Sequence, residues 1–149
     1  MNAFTPLNLP PFKWQLRKAD GVVYIHDDIR KKYVQLTPEE WVRQHYVHFL
    51  LEQGYAKGRL QIEGGLSYNS LSKRADIVAW DEWGKPYLVV ECKAPQVKLS
   101  ADVWAQAKLY NEIYQAPYIA ITNGMVHLYG KWSASAKRYE QLEALPAAS

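Results

Sequence analysis

Asp76, Glu91 and Lys93 lie inside two apolar runs, Ala75–Trp80 (ADIVAW) and Pro86–Pro95 (PYLVVECKAP), separated only by the polar segment Asp81–Lys85. Runs rich in Val, Ile, Trp and Tyr and broken by Gly-Lys-Pro read as two buried strands of one hairpin. A lone charge in an apolar core is costly unless it is paired. Two carboxylates and an ammonium in such strands therefore need a counterpart. The simplest is a divalent metal held by the carboxylates, with the lysine beside it.

Side chains of a strand alternate faces with a period of two. Val89, Glu91 and Lys93 share one face of the second strand, and Val90, Cys92 and Ala94 share the other, which reads as core. In the first strand Asp76, Val78 and Trp80 share a face opposite Ala75, Ile77 and Ala79. If Asp76 and Glu91 point the same way, their oxygens can converge on one hard cation. Mg²⁺ takes one or two carboxylates and keeps several waters, which leaves room for a phosphate. An ammonium two residues on can orient or deprotonate a water, or offset charge developing on phosphorus. The competing reading makes Glu91 and Lys93 a solvated pair on the wet face of an antiparallel sheet.

An Asp in one strand followed by Glu-x-Lys in the next resembles the PD-(D/E)xK nuclease superfamily. More narrowly, Leu36–Gln44 (LTPEEWVRQ), Arg74–Pro95, Gln106–Asn111 (QAKLYN) and Ile121–Gly124 (ITNG) resemble the N-terminal nuclease domain of type I restriction enzyme R subunits. The resemblance implies that Asp76 and Glu91 bind metal and that Lys93 is the catalytic lysine. It implies that Gln106 and Tyr110 form the Gln-x-x-x-Tyr motif of the following helix, and that a glutamate of the first helix joins the site. Ala75 stands where the superfamily name has Pro.

Two glutamates compete for that last role. Thr37-Pro38-Glu39-Glu40 is a helix start, with Thr37 as N-cap, Pro38 in the first helical position and Glu40 completing a Thr-x-x-Glu capping box. Glu39 lies on the stripe Glu39, Val42, Tyr46, Phe49 and Leu50, the face that should pack on the sheet. Glu39 is therefore favoured for the site over Glu40. Arg43, one turn on, could pair with Glu39 or reach a phosphate. The bland alternative for both acids is dipole-stabilising surface charge in a first turn.

Gln106 and Tyr110 share a face one turn apart on a helix expected over Ala101–Tyr114 and capped by Ser100. The glutamine amide could hold a water or a phosphate. Alternatively Val103, Ala107, Tyr110 and Tyr114 are simply a core stripe with Gln106 at its edge.

The chain has 149 residues, 48% of them hydrophobic and 13% aromatic, which suits one domain with a sizeable core. No apolar run is long enough to span a membrane, and the N-terminus lacks a basic-then-apolar leader layout. A single cysteine, Cys92, permits no internal disulfide and suits a reducing cytoplasm, the expected location. Neither a zinc-spaced Cys/His cluster nor a phosphate-binding Gly-x-x-x-x-Gly-Lys-Ser/Thr loop occurs.

The net charge of +3 permits nucleic-acid binding without demanding it. Basic residues gather at Arg30-Lys31-Lys32, at Lys57 with Arg59, and at Lys73-Arg74. Lys73-Arg74 immediately precedes the Asp76 strand and could contact phosphates beside a scissile bond; solubilising loop charge is the alternative. Trp80, Trp83 and Trp104 read as packing residues rather than base-stacking ones.

The expected fold is α/β: a single restriction-endonuclease-like domain with a central mixed sheet of four to five strands flanked by helices, and an N-terminal hairpin. Residues 1–12 should be extended, 13–142 the domain, and 143–149 a loose tail. The function implied by the resemblance is Mg²⁺-dependent hydrolysis of DNA, with Mn²⁺ able to substitute. Asp76, Glu91 and the Cys92 carbonyl would hold the metal, Lys93 would activate water, and Glu39 would hold a second metal or an outer water. Other restriction or defence subunits are the implied partners, and a homodimer is open. Two other readings stand beside it: a nucleic-acid-binding module that keeps the fold without cutting, and an assembly subunit.

Overall fold

The computed structural model describes residues 4–68 and 71–149, with the backbone alone for 64–68 and 71–74. Thr37 accepts from the Glu40 amide at 3.0 Å and Pro38 opens the first helix, α1 (Pro38–Glu52). Gly54, with φ +97°, turns the chain out of it. Ser100 likewise caps α2 (Ala101–Tyr114), which ends on Gln115 in the left-handed region. There Asn111 closes the helix, donating to the Ala116 carbonyl at 2.9 Å and accepting from the Ala116 amide at 3.0 Å.

Two sheets are formed by the described residues. The smaller is antiparallel, in the order β1 (Leu16–Ala19), β2 (Val22–Asp27), β3 (Lys32–Gln35). The larger runs β4 (Leu60–Tyr68), β5 (Leu71–Trp80), β6 (Pro86–Cys92), β7 (Tyr118–Thr122), β8 (His127–Ser133), β9 (Arg138–Leu142) in sequence order. Only β6 and β7 pair in parallel, because α2 carries the chain back between them. The large sheet thus has six strands rather than four to five, and the N-terminal hairpin gains a third strand.

Both faces of the large sheet are covered, which is why its central strands read as continuous apolar runs. Ile77, Leu88, Val90, Cys92 and Ala120 pack with Val42, Tyr46 and Leu50 of α1. Val78, Val89 and Ile119 pack on the other side with Tyr114 and Ala116 at the end of α2. A third cluster, Ile25, Leu36 and Trp41, seats the small sheet against the outer side of α1.

Some expectations need correction. The last residues are not loose: Tyr55 donates to the Pro146 carbonyl at 2.7 Å, Tyr87 donates to the Ala147 carbonyl at 2.5 Å, and Leu145 and Ala148 pack on the core. Trp83 is not a packing residue; it stands 76% exposed in the turn between β5 and β6. Among the described residues no helix is long and apolar enough to cross a membrane.

Candidate functional site

The ladder between β5 and β6 pairs Ala79 with Leu88, Val78 with Val89 and Ile77 with Val90. One step further would set Asp76 opposite Glu91, and there the ladder stops. β6 stays paired to β7 through Cys92 and Thr122, so it is β5 that peels away. The fork leaves main-chain groups of β6 available, and Asp76 takes one: its Oδ2 accepts from the Cys92 amide at 2.7 Å.

The Asp76 and Glu91 carboxyl groups meet in this fork, close enough for each to act on the other's ionisation. Burial, and then the Asp76 charge, push Glu91 up to about 9. Burial also lifts Asp76, against the pull of the Cys92 amide, Glu91, Arg43 and Lys93. Two close acids out of water oppose each other's ionisation, and the effect falls most heavily on Glu91. Lys93, just past the end of β6, is near enough for its charge to act on Asp76, Glu91 and Glu39.

Glu39 and Glu40 part company at the start of α1. Glu39 is exposed, yet partial burial and then the Asp76 charge lift its carboxyl, so it borders the site. Glu40 is buried and committed elsewhere. Its Oε1 accepts from Arg43 at 2.6 Å and Arg30 at 3.0 Å; its Oε2 accepts from Arg43 and Gln44, both at 3.0 Å. These bonds and charges overcome burial and hold Glu40 below the usual carboxylate range.

Arg43 is placed differently from the expectation. Its side chain is 7% exposed and pairs with Glu40 and Asp76, 3.0 Å from Asp76 Oδ1, so it is not presented to a phosphate in solution. Its partner is Glu40 at i, i+3 rather than Glu39. Gln106 is exposed and Tyr110 half-buried on α2. The side chains of Lys73 and Arg74 lie outside the described residues. Cys92 is buried with its thiol pushed far up, first by burial and then by the Asp76 charge, so any ligand role falls to its backbone.

Sequence reasoning passed over Asp27, Arg30, Gln44 and Glu63. Arg30 donates to Asp27 Oδ2 at 2.6 Å and to Glu63 Oε2 at 3.2 Å, besides Glu40. Gln44 joins Asp27 Oδ2 at 2.9 Å. The helical spacings Glu40–Arg43 and Glu40–Gln44 were available as a signal. Arg30 carried none, because it sat in a basic run that reads as solvated loop charge.

The donor set suits a hard cation: two carboxyl groups meet out of water, each opposing the other's ionisation. Among the described residues no three His, Cys, Asp or Glu side chains converge on one point. Two carboxylates with waters match Mg²⁺ rather than a metal that needs a full protein cage.

A family model described as type I restriction enzyme R protein N terminus matches residues 38–146. The chain belongs to this family. The match begins at the first residue of α1 and runs past β9, so it contains Glu39, the fork and α2. The small N-terminal sheet, with Asp27 and Arg30, lies outside it. Among solved structures, a fragment ascribed to an HsdR subunit of a type I restriction enzyme from Vibrio vulnificus YJ016 is 24% identical over 75% of this chain, with a TM-score of 0.48. This R-protein N-terminal chain spans 24% of that chain's length. No curated protein matches it.

Proposed function

We propose that this chain is a Mg²⁺-dependent endonuclease domain that hydrolyses DNA phosphodiester bonds. The observation that carries the reading is the contact between Asp76 and Glu91 at the fork of β5 and β6. Family membership supports a restriction-related, nuclease-type role and makes DNA and other restriction subunits the proposed partners.

Asp76 and Glu91 would hold the metal, with the Cys92 carbonyl as a third oxygen. A bound Mg²⁺ would supply charge neutralisation at the phosphoryl group and lower the cost of ionising a water. Lys93, beside the acids, would orient the attacking water and offset charge gathering on the phosphate oxygens. Glu39, its carboxyl raised by partial burial and by the Asp76 charge, would take up a proton or hold an outer water. Gln106 and Tyr110 would position substrate from α2, and Lys73 and Arg74 would contact flanking phosphates.

One observation favours a second reading, a nucleic-acid-binding or assembly subunit that keeps the fold. Arg43 and the Cys92 amide already engage both oxygens of Asp76. Cleavage of plasmid DNA in Mg²⁺ or Mn²⁺ separates the two. Activity in the parent chain, lost in Lys93→Ala and in Asp76→Ala, supports the nuclease. Activity surviving both changes removes these residues from the mechanism. Salt-sensitive DNA binding without metal binding or cleavage supports the second reading.

A further inference from the structure

We propose that Arg43 is a built-in competitor for the metal at Asp76, and that Glu40 sets how strongly it competes. The proposal rests on the reading of Asp76 and Glu91 as metal ligands.

Arg43 is hydrogen-bonded to two acids, and the exposed Glu63 lies 3.5 Å from the terminal nitrogen that meets Glu40. Its Nε and one terminal nitrogen form a two-pronged bond to Glu40, at 3.0 and 2.6 Å, while the other terminal nitrogen donates to Asp76 Oδ1 at 3.0 Å. A planar guanidinium can serve both at once because its donors point outward in a fixed fork. Asp76 Oδ2 is tied to the Cys92 amide, which is fixed in the backbone. Oδ1 is therefore the oxygen whose partner can change. An incoming dication meets a buried positive charge already on that oxygen.

The rest of the network keeps Arg43 removable. Glu40 also accepts from Arg30 and Gln44, so loss of Arg43 does not leave a buried carboxylate bare. Arg30 is in turn anchored by Asp27 and Glu63. The small N-terminal sheet thus reaches the metal site through Asp27, Arg30, Glu40 and Arg43. Arg43 and Glu40 are positioning residues: neither is needed as a ligand, and each acts through Asp76.

Opposite signs follow for two residues in direct contact. Removing the Arg43 charge should ease metal entry. Removing the Glu40 charge should release Arg43 from its anchor and leave Asp76 as its nearer acid, with only the exposed Glu63 competing at 3.5 Å, which should hinder metal entry. A role confined to holding the fold would weaken binding in both variants.

The test is calorimetric titration of the full chain with Mg²⁺, and with Mn²⁺ for stronger signal, in the parent chain, Asp76→Asn, Arg43→Gln and Glu40→Gln. Circular dichroism checks that each is folded. Arg43→Gln should bind roughly tenfold tighter and Glu40→Gln roughly tenfold weaker, the scale on which groups behind the ligands move metal affinity. Unchanged or weaker binding in Arg43→Gln overturns the proposal. A parent chain that binds no metal, or an Asp76→Asn that binds as well as the parent, overturns instead the ligand reading beneath it. If Glu40→Gln does not fold, the Arg43→Gln arm still decides. Arginine side-chain N–H resonances of the unaltered chain give a separate readout. A buried guanidinium signal should shift with Mg²⁺ and saturate with the calorimetric isotherm, and an unmoved spectrum counts against the proposal.

Discussion

The Cys92 amide donates to Asp76 Oδ2 at 2.7 Å across the point where the pairing of β5 and β6 ends. A ladder that continued would have spent that N–H on a main-chain carbonyl. Breaking it one step early turns a backbone donor toward a carboxylate and fixes one of its oxygens. The same opening leaves Asp76 and Glu91 close together and out of water, where each opposes the other's ionisation. That opposition makes the stability of the metal-free chain depend on pH.

Glu91→Gln should stabilise the metal-free chain and abolish its response to metal. Glu91 is raised from 4.5 to about 9, first by burial and then by Asp76. A raised acid takes up a proton on folding, so its stabilising contribution is complete below pH 4.5 and is lost as pH climbs toward 9. In EDTA the variant and the parent should melt alike near pH 5. At pH 8 the variant should be more stable by about 1–3 kcal/mol. Added Mg²⁺ should raise the melting temperature of the parent only. A parent whose excess pH slope persists in Glu91→Gln would place the raised acid elsewhere.

Asp27→Asn should show the reverse pH pattern. Burial pushes the Asp27 carboxyl up, but bonds from Arg30 and Gln44 and the Arg30 charge outweigh it and leave it lowered. A lowered acid contributes stability that is complete above its unfolded pKa, near 3.8, and is lost as pH falls through the folded value. At pH 7 the substitution should cost about 2–4 kcal/mol, because it uncouples a buried pair and leaves Arg30 with Glu40 and the exposed Glu63. The gap should narrow as the parent is titrated to pH 3, which denaturant melts at the two pH values would record. An unchanged gap would mean that shape, not charge, holds this corner.

Strand alternation put Asp76 and Glu91 each on one face of its strand but left open whether the two faces agree, and the register of β5 on β6 settles that they do. Helix caps were equally legible at Thr37 and Ser100, where one side chain decides the start. The fork was not, because where a ladder ends is decided by main-chain pairing between strands, which side-chain alternation does not record. Arg30 and Asp27 were hidden for another reason. Their partners lie on α1 and β4, and only the docking of the small sheet on Trp41 brings them there. β3 is four residues long and follows a basic run, too short for alternation to show. The tail escaped notice because it is held by its carbonyls, on Tyr55 and Tyr87, and carbonyls have no sequence signature.

Gly130→Ala should destabilise the sheet by about 1–3 kcal/mol through Trp104. A Cβ on Gly130 would lie 2.7 Å from Trp104 Cη2 and 2.9 Å from Cζ2. The indole of α2 reaches this close to β8 because Gly130 carries no side chain. It must swing away in the variant and break its edge contact with Tyr139, whose ring centroid is 6.4 Å off. Thermal melts should show the loss, and a red-shifted tryptophan emission should accompany it. A melt and a spectrum like the parent's would mean the helix absorbs the methyl.

Tyr46 and Tyr129 should be non-additive. Their hydroxyls bond at 2.8 Å between α1 and β8, within the core. Removing one hydroxyl leaves the other buried and without that bond, which costs about 1–3 kcal/mol, whereas removing both leaves an apolar contact of nearly the same shape. Tyr46→Phe and Tyr129→Phe should each destabilise, and the double variant should lie closer to the parent than the two losses summed. A double-mutant cycle in urea measures the difference as a coupling energy of about 0.5–3 kcal/mol. Simple additivity would mean that each hydroxyl finds another partner, and that this bond does not fix α1, with Glu39 and Arg43 on it, over the carboxylate pair.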